Sequence, residues 1–264
     1  MSLIKNAAAA SHDLPQNGEE GLIPLSERRL MASPTLLLIH GAWHGSWCWQ
    51  RFAAVLENRQ VPFDTLELPS SSGLDPSFDL DHDVMALRHV SHDRGPLVVV
   101  AHSYAGAVVV EAAPKIADLV GIVYVAALVP RIGQCASDVT REYGVRSALD
   151  KAMNRDESGF VHLNRDGAAL ALYGDCDATT RRWAIDQTTP QTLASFRSPR
   201  TSENVAIPST YVVCSRDEAL SPEVQEHVAQ RCDNIVTLNS DHSPFLSHPA
   251  QFADVLCSMS FRGV

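Results

Sequence analysis

The stretch that decides the fold runs Leu97-Val-Val-Val-Ala-His-Ser-Tyr-Ala-Gly-Ala-Val-Val-Val110. Its first five residues are apolar and mostly β-branched, which predicts a buried strand, and its last residues continue as a helix. Between the two, Ser103 stands among the small residues Ala101, Ala105 and Gly106. A sharp turn from strand to helix requires small neighbours and lifts the serine oxygen above the end of the strand. The pattern therefore predicts that Ser103 is an activated nucleophile.

On both sides of this stretch, short apolar runs alternate with segments of helical periodicity. Continuously apolar strands that alternate with helices are typical of a parallel sheet covered on both faces. The sequence thus predicts an α/β fold with a mostly parallel central sheet. We expect strands near residues 36–39, 61–68, 97–101, 119–127, 210–214 and 235–238, and helices near 46–58, 79–92, 108–117, 222–231 and 249–260.

Two segments interrupt this alternation. Residues 1–30 contain an Ala run followed by polar, Gly- and Pro-punctuated sequence without periodicity, which predicts a flexible N-terminal extension, native or left over from cloning. The folded domain is expected to span 31–264. Within it, about 130–208 is rich in Asp, Arg and Ala with several helical pieces, which predicts an inserted helical lid over the carboxyl edge of the sheet.

Composition limits the kind of partner. Among 264 residues, 31 acidic and 21 basic side chains give a formal charge of -10, which repels nucleic acids and anionic membrane surfaces. No apolar run approaches the roughly 20 residues that a membrane span needs, and the N-terminus lacks the apolar core of an export signal. We therefore expect a cytoplasmic location. Scattered single cysteines indicate reduced thiols rather than a disulfide framework or a zinc site.

The first predicted strand ends at His40-Gly41-Ala42-Trp43, where a backbone N–H must point at the oxyanion that develops when the serine attacks. The N–H of Ala42 and the N–H of Tyr104, directly after the nucleophile, are the two predicted donors. The spacing of His40 and His44 is also compatible with a metal pair. No carboxylate or cysteine lies nearby in this loop, so no metal is predicted.

The candidate general base is His242. It lies in Asn239-Ser-Asp-His-Ser-Pro244, between the last predicted strand and the last predicted helix, where a loop histidine reaches back over the sheet to the serine. His102 and His248 are alternatives. His102 flanks the serine but points away from it in such a turn, and His248 lies at the start of a helix.

The carboxylate that orients the base should follow the preceding strand, giving the chain order serine, acid, histidine. Asp217 and Glu218 both occupy this place, and the shorter side chain of Asp217 suits it better. Asp241 adjoins His242, and because neighbouring side chains usually diverge, we interpret it as structural.

Together these motifs resemble the plant methylesterase and hydroxynitrile lyase branch of the α/β-hydrolase fold, with its bacterial esterase relatives. The resemblance spans about 33–262 and is weakest in the lid. It implies a serine esterase without metal or organic cofactor, and its acid position matches Asp217. The motifs that carry it are His40-Gly-Ala-Trp-His-Gly-Ser-Trp-Cys-Trp49, Ala101-His-Ser-Tyr-Ala-Gly106, Asp175-Cys176 and Asp241-His-Ser-Pro-Phe245.

Other activities on the same fold remain open. Hydroxynitrile lyases of this branch share a lysine after the histidine and a threonine in the oxyanion segment. This chain has Ser243 and Ala42 at those positions. Perhydrolase or amidase chemistry would use the same residues, and a ligand receptor can retain a complete triad.

The substrate is predicted to be a small to medium, largely neutral carboxylic ester rather than one with a long alkyl chain. Trp43 near the oxyanion loop, and Tyr173 and Trp183 in the lid, are the candidate substrate-binding residues. The expected partner is this small molecule, and the sequence does not predict an oligomeric state.

Overall fold

The computed structural model describes residues 34–92, 94–144 and 147–259, so the predicted N-terminal extension lies outside the described residues. Six strands form one sheet in the order β2-β1-β3-β4-β8-β9, and every neighbouring pair is parallel. The predicted parallel sheet is confirmed. In chain order the described strands are β1 (Thr35–Ile39), β2 (Phe63–Leu66), β3 (Leu97–His102), β4 (Leu119–Val125), β5 (Met153–Arg155), β6 (Phe160–Leu163), β7 (Gln191–Thr192), β8 (Ser209–Cys214) and β9 (Asn234–Leu238).

Helices flank this sheet. The helix after β1 packs against the last helix, and the helix after β2 packs against the one after β3. The described α-helices are α1 (Gln50–Asn58), α2 (Leu80–Ser91), α3 (Ala105–Ala112), α4 (Ala136–Glu142), α5 (Ala148–Ala152), α6 (Arg165–Leu172), α7 (Ala178–Gln187), α8 (Leu193–Arg197), α9 (Pro222–Ala229), α10 (Pro244–Ser247) and α11 (Pro249–Ser258).

The centre of the sheet is apolar because both of its faces are covered. Every residue of β3 is buried, and its neighbour β1 is buried from its second residue onward. This explains why both strands read as continuous apolar runs rather than as an alternation of apolar and polar residues.

The order of the strands determines where a crevice forms at the edge of the sheet. From β1 the chain turns to β2 on one side, whereas β3 lies on the other side, and Ile39 pairs with Ala101 where the two strands end. Crevices form at such a reversal of strand order, outside the carboxyl ends of the strands. The loop that begins at His40 after β1 and the turn at Ser103 after β3 therefore lie next to each other.

The segment between β4 and β8 contains the predicted helical pieces as α4 to α7. It also contains a three-stranded antiparallel sheet in the order β5-β6-β7, which the helical lid predicted for 130–208 did not include. These strands have two to four residues each, too few for a periodic pattern. Across the described ranges, no helix is long and apolar enough to span a membrane.

Candidate active site

Ser103 lies in the turn between β3 and α3, with a backbone φ of 53°. A serine in this left-handed region costs about 1–2 kcal/mol, so the surrounding structure must hold it there. Its N–H donates to the carbonyl of Val125 at 3.0 Å, and its own carbonyl accepts from the N–H of Leu128 at 2.9 Å. Bonds to the neighbouring strand and the segment after it thus fix the strained turn that the sequence predicts.

Two glycines allow other segments to approach this turn. A Cβ on Gly41 would lie 2.8 Å from Cβ of Ser103 and 2.9 Å from Nδ1 of His102. A Cβ on Gly106 would lie 2.5 Å from the carbonyl oxygen of Leu128. Only glycine fits at either position without a shift of the backbone or of these neighbours.

His242 and Asp217 are both buried, and Nδ1 of His242 lies 2.6 Å from Oδ2 of Asp217. The other carboxylate oxygen accepts from the N–H groups of Ala219 and Leu220 at 2.7 and 2.8 Å, and Gln225 donates to Oδ2 at 2.8 Å. An ionised carboxylate only accepts hydrogen bonds, so Nδ1 of His242 carries a proton. Nε2 is then the basic nitrogen, as a general base requires.

Ser103 and His242 line the same cavity, which has a volume of about 100 Å³. Ala42 and Trp43 contribute to its wall from the loop after β1. Most of the remaining wall is apolar and comes from the lid and from the segments after β4 and β8. It includes Leu128, Leu149, Val161, Leu193, Phe196 and Leu220.

The predicted oxyanion donors have free N–H groups. The carbonyl of Gly41 accepts from Nδ1 of His40 at 2.8 Å and from the N–H of His44 at 3.3 Å. In a planar trans peptide the N–H of Ala42 points away from that carbonyl, and so away from both histidines. Within the described ranges, no acceptor binds the N–H of Ala42 or of Tyr104. Neither N–H is therefore occupied by an acceptor of the described chain.

The alternative base His102 is fully buried behind the site, 4.6 Å from the His242 ring between centroids. Its Nε2 lies 3.0 Å from the backbone carbonyl of His242, which accepts, so Nε2 carries the proton. Burial, reinforced by His242, holds the pKa of His102 well below its usual value. This neutral ring supports the His242 loop and does not reach into the cavity.

The other rivals also have partners elsewhere. The backbone of Asp241 and the side chain of His248 both bind Asp175 of the lid, at 2.8 and 3.2 Å. Glu218 is exposed, in contrast to Asp217, and Oδ1 of Asp241 accepts from its own loop and from the helix that follows. Of the two candidate acids, the fold brings Asp217 to the histidine.

The three predicted substrate-binding residues lie in different environments. Trp43 lines the cavity and packs against Phe196, with ring centroids 5.4 Å apart. Tyr173 is fully buried, donates its hydroxyl to Nε2 of His44 at 2.8 Å, and does not line the cavity. Trp183 packs edge-on against Trp47 and lines a different pocket, formed by residues of α7. Neither Tyr173 nor Trp183 lines the cavity of Ser103, so the geometry does not support their assignment as substrate-binding residues.

Sequence patterns did not identify most of the apolar wall of the cavity. Leu149, Val161 and Leu193 come from three lid elements of four or five residues each. Elements this short carry no periodic signal that would separate a cavity-facing residue from a core residue.

The chain matches known proteins over most of its length. Residues 36–255 match the model of the alpha/beta hydrolase family. The alpha/beta hydrolase nvfD of Aspergillus novofumigatus is 27% identical over 236 residues, covering 83% of this chain and 93% of the relative. Methylesterase 2 of Arabidopsis thaliana is 24% identical over 252 residues, covering 85% and 95%.

The fold is also similar to solved structures. An extracellular alpha/beta-hydrolase from a Paenibacillus species superimposes with a TM-score of 0.75 at 16% identity, covering 85% of this chain and 98% of the other. The strand order, the strained serine turn and the matched family model lead to one conclusion. The chain belongs to the alpha/beta hydrolase family.

Proposed function

We propose that the protein is a serine hydrolase that cleaves a carboxylic ester through an acyl-enzyme on Ser103. The observation that carries the proposal is the 2.6 Å contact between His242 and Asp217, which leaves Nε2 of His242 basic beside the cavity that Ser103 lines. Support also comes from relatives named as esterases, among them methylesterase 2 and a carbendazim-hydrolyzing esterase of Nocardioides.

In the proposed reaction, Nε2 of His242 removes the proton of the Ser103 hydroxyl as its oxygen bonds to the ester carbonyl carbon. The N–H groups of Ala42 and Tyr104 stabilise the resulting oxyanion. The C–O bond to the alcohol then breaks, and His242 returns the proton to the departing oxygen. A water molecule, deprotonated by His242, releases the acid by the same steps in reverse, while Asp217 stabilises the imidazolium.

The cavity favours a small to medium, largely neutral substrate. Its wall beside Ser103 is mostly apolar, which suits a largely neutral substrate. Trp43 is the proposed contact from the oxyanion loop. The cytoplasmic location stays a prediction, and no cofactor has a role in these steps.

A panel of p-nitrophenyl esters of rising acyl length, with an aryl-alkyl ester, an amide and a cyanohydrin, tests the proposal on wild type and Ser103→Ala. We expect hydrolysis of the short esters by the wild type and a loss of about 10⁴-fold or more in kcat for the variant. Full activity of Ser103→Ala would contradict the proposal. Turnover of the cyanohydrin alone would identify a lyase.

A further inference from the structure

A lid side chain contacts the oxyanion loop from inside the protein. Gln191 in β7 is fully buried, and its Oε1 accepts from the backbone N–H of Trp43 at 3.3 Å and from the hydroxyl of Ser71 at 2.5 Å. A backbone N–H can only donate, so the oxygen of this amide must face Trp43. The orientation of the Gln191 side chain is therefore fixed.

The nitrogen of the same amide donates both of its hydrogen bonds. Nε2 of Gln191 donates to the hydroxyls of Ser70 and Ser195 at 2.8 and 2.7 Å. Each hydroxyl in turn donates a hydrogen bond, Ser70 to Oδ2 of Asp83 and Ser195 to the carbonyl of Thr192. All four bonds of the glutamine amide are satisfied, and a carboxylate at this position would supply neither donor.

The lid binds every polar group of Trp43. Besides the bond to Gln191, the carbonyl of Trp43 accepts from the N–H of Thr189 at 3.0 Å, and its indole N–H donates to the carbonyl of Val161 at 2.8 Å. Trp43 has a φ of 63°, an unfavourable conformation for an aromatic residue. These bonds hold the strained residue directly after Ala42.

The second oxyanion residue joins the same network. The hydroxyl of Tyr104 donates to Oδ2 of Asp83 at 2.8 Å, and Asp83 also accepts from Ser70, the partner of Gln191. A continuous buried chain of hydrogen bonds thus connects the loop of Ala42 with the residue that supplies the other oxyanion N–H.

We infer that Gln191 is a positioning residue, through which the lid holds the Ala42 and Tyr104 amides in place for the oxyanion. The inference rests on the proposed function. It assigns to the lid a part in transition-state stabilisation, whereas a lid that only encloses substrate would affect ground-state binding alone.

The test compares Gln191→Glu with Gln187→Glu, which makes the same change at an exposed lid position. For Gln191→Glu we expect a loss in kcat of about 10- to 100-fold, with KM within about threefold, because the transition state loses an aligned donor. Affinity for a trifluoromethyl ketone, whose serine adduct carries an oxyanion, should fall in parallel with kcat. Affinity for the product alcohol, a ground-state ligand, should not change. Gln187→Glu should match the wild type throughout.

Ser71→Ala is the milder variant in case Gln191→Glu does not fold. It removes one donor to Oε1 and should lower kcat and trifluoromethyl ketone affinity together, by about three- to tenfold. Wild-type kcat and ketone affinity in a folded Gln191→Glu or Ser71→Ala enzyme would overturn the inference, as would a rise in KM with kcat unchanged. Neither result affects the proposed function, which is tested separately by Ser103→Ala and by the substrate panel.

Discussion

His242, His102 and His44 lie close together, yet their surroundings give the three rings different tasks. The ring centroid of His102 lies 4.6 Å from that of His242 and 5.7 Å from that of His44. The carboxylate of Asp217 faces His242 alone, whereas the other two rings bind backbone carbonyls and stay neutral because they are buried. Of these three rings, His242 is the one whose cationic form has an anionic partner in direct contact.

The first residue-level prediction concerns the acid. Asp217→Asn keeps an oxygen for the N–H groups of Ala219 and Leu220 but places a donor against Nδ1 of His242. The histidine then adopts the wrong tautomer, and we expect kcat to fall by about 10³- to 10⁴-fold. Steady-state hydrolysis of a short p-nitrophenyl ester measures this. Glu218→Gln should retain wild-type kcat, and the opposite outcome would assign the acid to Glu218.

The second residue-level prediction concerns stability and pH. Burial lowers the pKa of His44 from 6.5 to about 3. Between these pH values the unfolded chain binds a proton that the folded chain does not, so the stability from this group is present above pH 6.5 and decreases as pH falls. The slope is about 1.4 kcal/mol per pH unit, or about 2 kcal/mol lost by pH 5.

Urea unfolding at pH 7 and pH 5 measures that loss. His44→Gln, which keeps a donor and an acceptor, should lose less stability between the two pH values than the wild type. His89→Gln alters an exposed histidine and should keep the wild-type dependence. Equal pH dependence in His44→Gln and wild type would show that His44 is not buried in its neutral form.

At the level of elements, the site depends on how β3 continues into α3. The helix begins at Ala105, two residues after the serine, earlier than the start near 108 that periodicity predicted. It ends at Ala112, before a 3-10 turn that contains Pro114, because proline cannot continue the helical hydrogen bonds. The short turn places Ser103 at the helix N-terminus and brings Gly106 against the segment after β4.

This packing predicts the effect of Gly106→Ala. Its Cβ would meet the carbonyl oxygen of Leu128 at 2.5 Å, and Leu128 also binds the backbone of Ser103. We expect a loss of about 3 kcal/mol in the free energy of unfolding and a lower kcat. Gly95→Ala is the comparison, because a Cβ there meets nothing within 4 Å and only its φ of 79° is unfavourable, at about 1 kcal/mol. Equal losses in both variants would contradict a steric cause.

At the level of the whole molecule, the lid is joined to the catalytic loops from two sides. Gln191 holds the oxyanion loop, and Asp175 binds the loop of His242. Oδ2 of Asp175 accepts from the N–H of Asp241 at 2.8 Å and from Arg216 at 2.6 Å, while Asp241 accepts from the N–H of Asp175 at 3.0 Å. The lid therefore stabilises both halves of the site.

Asp175→Ala should reveal this second connection. Loss of the carboxylate leaves the N–H of Asp241 and the side chain of Arg216 without this partner, which we expect to cost about 1–3 kcal/mol of stability. It should also lower kcat several-fold, because the His242 loop is held less firmly. Thermal unfolding and ester hydrolysis measure the two effects. Asp166→Ala, at an exposed acidic residue of α6, should change neither, and an unchanged kcat in Asp175→Ala would exclude a role in holding the loop.

The alternating elements and the turn around Ser103 follow from the sequence by itself, and the order of serine, acid and histidine stays a prediction from it. Apolar periodicity and turn chemistry act over a few residues, so they can be recognised without the fold. The same holds for the glycine of the oxyanion loop. The lid sheet was not recognised, because its strands are too short to show a period.

The tertiary structure brings Asp217, which the sequence already favoured over Glu218, to His242, and it places Tyr173 and Trp183 outside the lining of the Ser103 cavity. It also brought Gln191 to Trp43, 148 residues away in the chain. The physical reason is common to these cases. Contacts between distant segments determine which way a side chain points, which ring nitrogen of a histidine is protonated and which polar groups are buried together. The local sequence does not specify these contacts.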